Sequence, residues 1–198
     1  MTLRIALVLF SYLLGAIPFG YLLTKITTGK NILKLGSGNM GSTNVGRVAG
    51  KKTAIITQLL DMSKGFLPVA IYLLLFNGET GKSEFYLYCV ALAPIIGHDF
   101  SVFLIFKGGK GVNTTLGASV LLAPISVFIS VGVHFIVRLI FKYVSLGSII
   151  LGIALPLSEL LIHGFSPTFY FLLVCMFLII FTHRSNIIRL INNQEHSA

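Results

Sequence analysis

Negative charge is scarce in this chain: six Asp and Glu stand among 198 residues, against fifteen Lys and Arg. Charged residues make up 11% of the sequence and hydrophobic ones 55%. A soluble domain carries roughly a quarter charged residues, so a water-exposed globular surface is excluded. Carboxylates so few and so dispersed also exclude a magnesium cage or an aspartate-rich metal motif. Tryptophan is absent, and there are only two cysteines. Cys89 and Cys175 both sit in apolar runs, and no CxxC or Cys/His cluster has metal-ligand spacing. Neither a zinc site nor a disulfide framework is expected, and no metal or cofactor. The excess of bases invites a nucleic-acid reading, but they are confined to short islands between long apolar stretches. A nucleic-acid face needs a basic surface on a water-soluble body, so no such partner is expected. What is present is length of apolar run, with a mean hydropathy of +0.91. The chain reads as an all-α, polytopic integral membrane helix bundle whose surroundings are the lipid bilayer.

A spanning helix needs about 20 apolar residues at about 1.5 Å each. Residues 3–23 qualify, as do 53–76, despite Asp61 and Lys64, and 85–106. No small-x-small cleavage site precedes the first polar loop, so the first run is read as an uncleaved span. Pro124 divides the stretch 114–141, and the turn sequence His163-Gly164-Phe165-Ser166-Pro167 separates 149–162 from 168–181. Taking 114–141 as two short passes or a re-entrant hairpin gives about seven transmembrane segments. It also puts three polar islands, 29–52, 107–113 and 183–195, on one side of the membrane. With the N-terminus outside and the C-terminus cytoplasmic, every Lys and Arg except Arg4 and Lys82 falls toward an inner end, and the loop 77–84 lies outside. With no internal repeat or linker, residues 1–198 read as a single integral membrane domain.

The first island reads Gly36-Ser37-Gly38-Asn39-Met40-Gly41-Ser42-Thr43-Asn44, followed by Arg47 and Gly50-Lys51-Lys52. Gly36, Gly38 and Gly41 formally match GxGxxG, but the dinucleotide fold needs a strand before the glycines and a βαβ unit around them. Here a membrane helix precedes. What survives is anion chemistry: glycines let backbone N–H groups approach, Ser37, Asn39, Thr43 and Asn44 offer neutral donors, and Arg47 supplies a planar fork. The second island, Lys107-Gly108-Gly109-Lys110-Gly111, leads through Asn113 and Thr114 into a helix, where free amides and the helix dipole favour negative charge. The GxxxxGK[ST] spacing of a Walker motif fails in both. Ordinary basic loops are the alternative reading of each. In the third island, His183 and Asn186 stand at i, i+3 and share one face if the helix continues, while Arg184 and Arg189 suit anionic headgroups. Asp61 and Lys64, also at i, i+3, are expected to neutralise each other. His98-Asp99 either lines a polar cavity or pairs with the 107–111 loop, and His134 and His163 carry no assigned role.

Taken together, these islands resemble the bacterial membrane acyl-phosphate:glycerol-3-phosphate acyltransferase family. The resemblance covers nearly the whole chain: GSGNMGSTN with Arg47 and Gly50-Lys51, Asp61-Met62-Ser63-Lys64-Gly65, GHDFSVFLIFKGGKGVNT, and HRSNIIRL near the C-terminus. Ser42, Ser101, Ile105 and Asn193 depart from the family's usual Ala, Pro, Lys and Gly. The resemblance implies transfer of a fatty acyl group from acyl phosphate to the 1-hydroxyl of glycerol 3-phosphate, giving lysophosphatidate and phosphate, at the cytoplasmic face of a bacterial inner membrane. It also suggests that the donor's own phosphate accepts the hydroxyl proton. The HxxxxD pair of soluble acyltransferases is absent. Both substrates carry phosphate, so Ser37 and Arg47 are assigned to one substrate phosphate, with Asn39, Thr43 and Asn44 beside them. Lys110, with the amides of Gly108, Gly109 and Gly111, is assigned to the other phosphate and the developing charge. His183 and Asn186 orient the glycerol hydroxyls or the phosphate, and Ser148 lines the site. A monomer is expected. The rival reading is a membrane transporter for phosphate-bearing small anions.

Overall fold

The computed structural model describes residues 1–76 and 82–195, so residues 77–81 of the expected outer loop at 77–84 lie outside the described residues. Among the described residues all regular structure is helical. The chain forms two compact units, Met1–Leu121 and Leu122–Ala198.

In the first unit, α1 (Thr2–Ala16) and α2 (Phe19–Thr28) form one apolar run of 27 residues with a break at its centre. Pro18 brings no N–H to the ladder and pushes Ile17 into an extended ψ of 117°. In hydrocarbon the freed carbonyls must find partners. Ser101 Oγ donates to the carbonyl of Ala16 at 2.6 Å, and Lys64 Nζ to that of Ile17 at 3.0 Å. Lys64 also lies 2.8 Å from Asp61 Oδ1, the mutual neutralisation expected from the i, i+3 spacing. α3 (Ser42–Phe76) is interrupted at Gly50, whose φ of 85° and ψ of 167° separate a polar opening from a long apolar run.

Two helices seat on this frame by backbone contact. α4 (Lys82–Asp99) crosses α1 where Gly15 meets Pro94 and Gly97 meets Tyr12, with no room for a Cβ at either glycine. α5 (Val112–Ser119) lies on α3 in the same way, through Gly65 against Thr114 and Gly117 against Met62. α5 has eight residues, or about 12 Å, well short of a crossing. Of the two halves expected in 114–141, the first is therefore a short helix that does not span.

The second unit opens with α6 (Pro124–Phe141), whose 18 residues have spanning length, followed by α7 (Val144–His163) and α8 (Pro167–Thr182). α6 packs on α7 and α7 on α8. Ser126 Oγ donates to Glu159 Oε2 at 2.6 Å, and His163 Nδ1 lies 3.0 Å from Glu159 Oε1, so this buried carboxylate is held on both oxygens. α9 (Arg184–Ile191) leaves α8 at a bend of 59°. Among the described residues, five helical stretches have the length and apolarity to cross a membrane, six if α8 and α9 count as one broken span. The short α5, expected as one of seven segments, is not among them.

Candidate active site

The first loop is shaped by Asn44, in the opening turn of α3. Its Nδ2 donates to the carbonyls of Leu35 at 3.0 Å and Asn39 at 2.8 Å, and its Oδ1 accepts from the N–H of Ser37 at 3.0 Å. Only 2% of Asn44 is exposed. The sequence reading set it among the substrate donors, whereas here its amide is a strut inside the loop. Gly36 and Gly38, at φ of 57° and 69°, make the turns that wrap the loop around that amide. Ile32, Met40 and Val45 form the apolar cluster beneath. Ser37, Thr43 and Arg47 stay exposed, with Thr43 and Arg47 at i, i+4 on α3.

The second loop rests on the end of α4. The N–H of Gly109 donates to the carbonyl of His98 at 2.9 Å, and Gly108 lies against the His98 and Asp99 carbonyls with no room for a Cβ. Gly111, at φ 69°, is the N-cap of α5 and lies against the Asp99 carboxylate. Of the two expectations for His98-Asp99, pairing with the loop is the one observed. Ile105 and Phe106 enter the loop at φ of 54° and 58°, a left-handed backbone that costs a β-branched residue energy and that the packed turn must support. Lys110 is half-buried.

Two side-chain amides join these loops. Asn39 accepts the N–H of Gly41 on Oδ1 at 2.8 Å and reaches the carbonyl of Gly108 with Nδ2 at 3.4 Å. Asn113 Nδ2 reaches Ser42 Oγ at 3.3 Å. The first and second islands, 69 residues apart between Asn39 and Gly108, are therefore neighbours in the first unit. Two glycine-rich loops side by side, each ending at a helix N-terminus, one with Arg47 on the helix that follows and the other with Lys110 in the loop itself, can hold two anionic groups.

The third island belongs to the second unit. The helix does not continue through it: His183 is both the C-cap of α8 and the N-cap of α9. The expected shared face is thus replaced by a capped bend, with Asn186 N–H donating to the His183 carbonyl at 2.8 Å. His183 Nδ1 lies 2.8 Å from the Ile179 carbonyl. A carbonyl only accepts, so Nδ1 carries the proton, and in the neutral ring Nε2 is the acceptor. Asn186 Nδ2 donates to Glu195 Oε1 at 2.8 Å, and Arg189 Nε to Glu195 Oε2 at 2.9 Å. Burial pushes the Glu195 carboxyl up, but these hydrogen bonds and the Arg189 charge outweigh it and hold it below its ordinary value. Sequence reasoning missed Glu195. Ser148, also buried here, donates to its own helix at Val144 O, 3.0 Å away.

Among the described residues, no three His, Cys, Asp or Glu side chains group as a metal ion would need. A family profile described as glycerol-3-phosphate acyltransferase matches residues 5–193. The glycerol-3-phosphate acyltransferase of Clostridium acetobutylicum is 43% identical over 197 residues, covering 98% of this chain and 100% of that protein. The one from Syntrophotalea carbinolica is 39% identical over 196 residues, covering 99% and 98%. The crystal structure of PlsY (YgiH), an integral membrane glycerol 3-phosphate acyltransferase, in its glycerol 3-phosphate form matches with a TM-score of 0.90 at 38% identity, covering 98% of this chain and 95% of that one. Its lysophosphatidic acid form matches with a TM-score of 0.87, also at 38% identity, covering 98% and 94%. Matched over residues 5–193 and built of apolar helices of spanning length, this multi-pass integral membrane protein belongs to the glycerol-3-phosphate acyltransferase family.

Proposed function

We propose that the protein transfers a fatty acyl group from acyl phosphate to the 1-hydroxyl of sn-glycerol 3-phosphate, releasing lysophosphatidate and inorganic phosphate. The observation that carries this reading is the pairing of the two glycine loops through Asn39–Gly108 and Ser42–Asn113. A reaction between two phosphate-bearing substrates needs two anion sites side by side. Ser37 and Arg47 hold one phosphate, with Asn39 and Thr43 beside them and Asn44 keeping the loop's shape. Lys110 and the amides of Gly108 and Gly111 hold the other and the charge that develops on it; the Gly109 N–H, expected beside them, is already donated to the His98 carbonyl.

The hydroxyl oxygen attacks the acyl carbon, the bond from that carbon to the phosphate oxygen breaks, and phosphate leaves carrying the hydroxyl proton. An acyl phosphate is already activated, so positioning and electrostatic stabilisation suffice without a dedicated base. His183, its ring fixed by the Ile179 carbonyl, and Asn186, fixed by Glu195, are assigned to orienting the acceptor by the family resemblance, as is Ser148 to lining its site. The enzyme works as a monomer without metal in a bacterial inner membrane, its loops and C-terminus facing the cytoplasm and its N-terminus outside.

The test is purified protein in lipid vesicles with glycerol 3-phosphate, offered acyl phosphate, acyl-CoA and acyl carrier protein in parallel, with excess EDTA in a duplicate set. Lysophosphatidate from acyl phosphate alone, unaffected by EDTA, supports the reading. Product from a thioester donor, or uptake of glycerol 3-phosphate into vesicles without product, overturns it.

A further inference from the structure

Four ionisable side chains that the proposed reaction does not use lie beneath the second loop: Asp61 at 2% exposure, Lys64 at 1%, and His98 and Asp99 at 4% each. His98 is the one whose ring touches the loop. Besides accepting the Gly109 N–H on its carbonyl, it lays its imidazole against the Gly109 Cα. A Cβ at position 109 would run into Nε2, with Cε1 at 2.7 Å and Cδ2 at 2.8 Å. On the far side the ring faces Asp61, whose Oδ1 stands 3.5 Å from Nδ1, longer than a hydrogen bond, and 2.8 Å from Lys64 Nζ. Lys64 is in turn fixed to the Ile17 carbonyl at the α1–α2 break. Buried polar groups thus line up from that break through Lys64, Asp61 and His98 to the backbone of Gly109.

We propose that His98 is a positioning residue: its buried ring is the floor on which Gly109 lies, and so sets the height of the 107–111 loop and of the Lys110 ammonium it carries. The lack of a side chain at Gly109 then answers to His98 below and not to a ligand above. This deepens the proposed function and rests on it, because Lys110 matters only if the loop holds a substrate phosphate.

A double-mutant cycle tests the contact, using the full-length protein in lipid vesicles with acyl phosphate and glycerol 3-phosphate. Gly109→Ala in the wild-type background lifts the loop, and KM for the substrate whose phosphate the loop holds rises about tenfold or more. His98→Ala removes the floor, raising that KM with little change in kcat. A side chain that served folding alone would instead lower the active fraction, with kcat falling at constant KM. In the His98→Ala background, Gly109→Ala changes KM by less than about twofold, because the space it needs is already open. His98→Asn, which keeps a donor toward Asp61, recovers part of the loss.

Hydrogen exchange of the 107–113 amides supplies a readout independent of turnover. Exchange is faster in either single variant, and no faster in the double variant than in His98→Ala. If the wild type makes no product from any donor, the proposed function falls while the exchange cycle still decides the contact. Independent, multiplying losses in KM and in exchange would overturn the proposal, and so would a fall in kcat alone on His98→Ala.

Discussion

Lys64 Nζ lies 3.0 Å from the carbonyl oxygen of Ile17, 47 residues earlier in the chain, so a buried cation closes the helix break that Pro18 opens. The same ammonium neutralises Asp61 at 2.8 Å. Lys64→Met should therefore be severe, because it strands a buried carboxylate and removes a partner from Ile17 together. A loss of about 3–5 kcal/mol is expected from breaking a buried pair on one side. Asp61→Asn/Lys64→Met should recover a large part of it. Thermal unfolding in detergent reads both; a double variant as unstable as the single would show that the pair's charge is not what matters.

At the C-terminus, Glu195 holds Asn186 and Arg189 on separate oxygens. Glu195→Gln keeps an acceptor for Asn186 and should retain activity within about threefold, while Glu195→Ala, which leaves the buried amide unmet, should cost about 10- to 100-fold in kcat/KM. The pH dependence follows from a carboxyl held below its ordinary value of 4.5. Its contribution is fully present above that value and is lost only as pH falls through the lower folded value. Amide protection factors in α9, corrected for the intrinsic pH dependence of exchange, should thus stay high at pH 4.5 and fall below it in the wild type, and be low at both in Glu195→Ala.

Much of this arrangement is legible in residue types and spacing, and the rest depends on contacts that spacing does not encode. The i, i+3 separation of Asp61 and Lys64 places them on one helix face, so their pairing follows from the sequence, but the reach of Lys64 to Ile17 needs the crossing of two helices. Asn39 and Asn44 look equivalent as donors. Only the fold makes Asn44 a strut inside the loop and Asn39 a bridge to Gly108. Pro124 marks the division of 114–141, but the eight-residue α5 and its close seat on α3 at Gly65 and Gly117 are contacts of the fold that the apolar run does not encode. Glu195 escaped notice because it lies beyond the end of α9 and returns to it only through its two hydrogen bonds.

Orientation is checked by single cysteines in a protein freed of Cys89 and Cys175. An impermeant thiol reagent applied to intact cells should label position 80 and leave position 193 untouched. The reverse pattern, or labelling at both, would place the loops on the wrong side for a cytoplasmic reaction.

The most direct measurement of the central claim, that the joined loops grip substrate phosphate, is kcat/KM for Arg47→Lys. Lys keeps the positive charge and loses the fork of paired donors. A loss of about 1.5–3 kcal/mol, roughly 10- to 150-fold, is expected, with a larger loss for Arg47→Ala. Lys34→Ala, which removes an exposed charge from the same island, should be nearly neutral. Wild-type activity in Arg47→Lys, or equal damage from Lys34→Ala, would mean that the island supplies diffuse positive potential and no phosphate site.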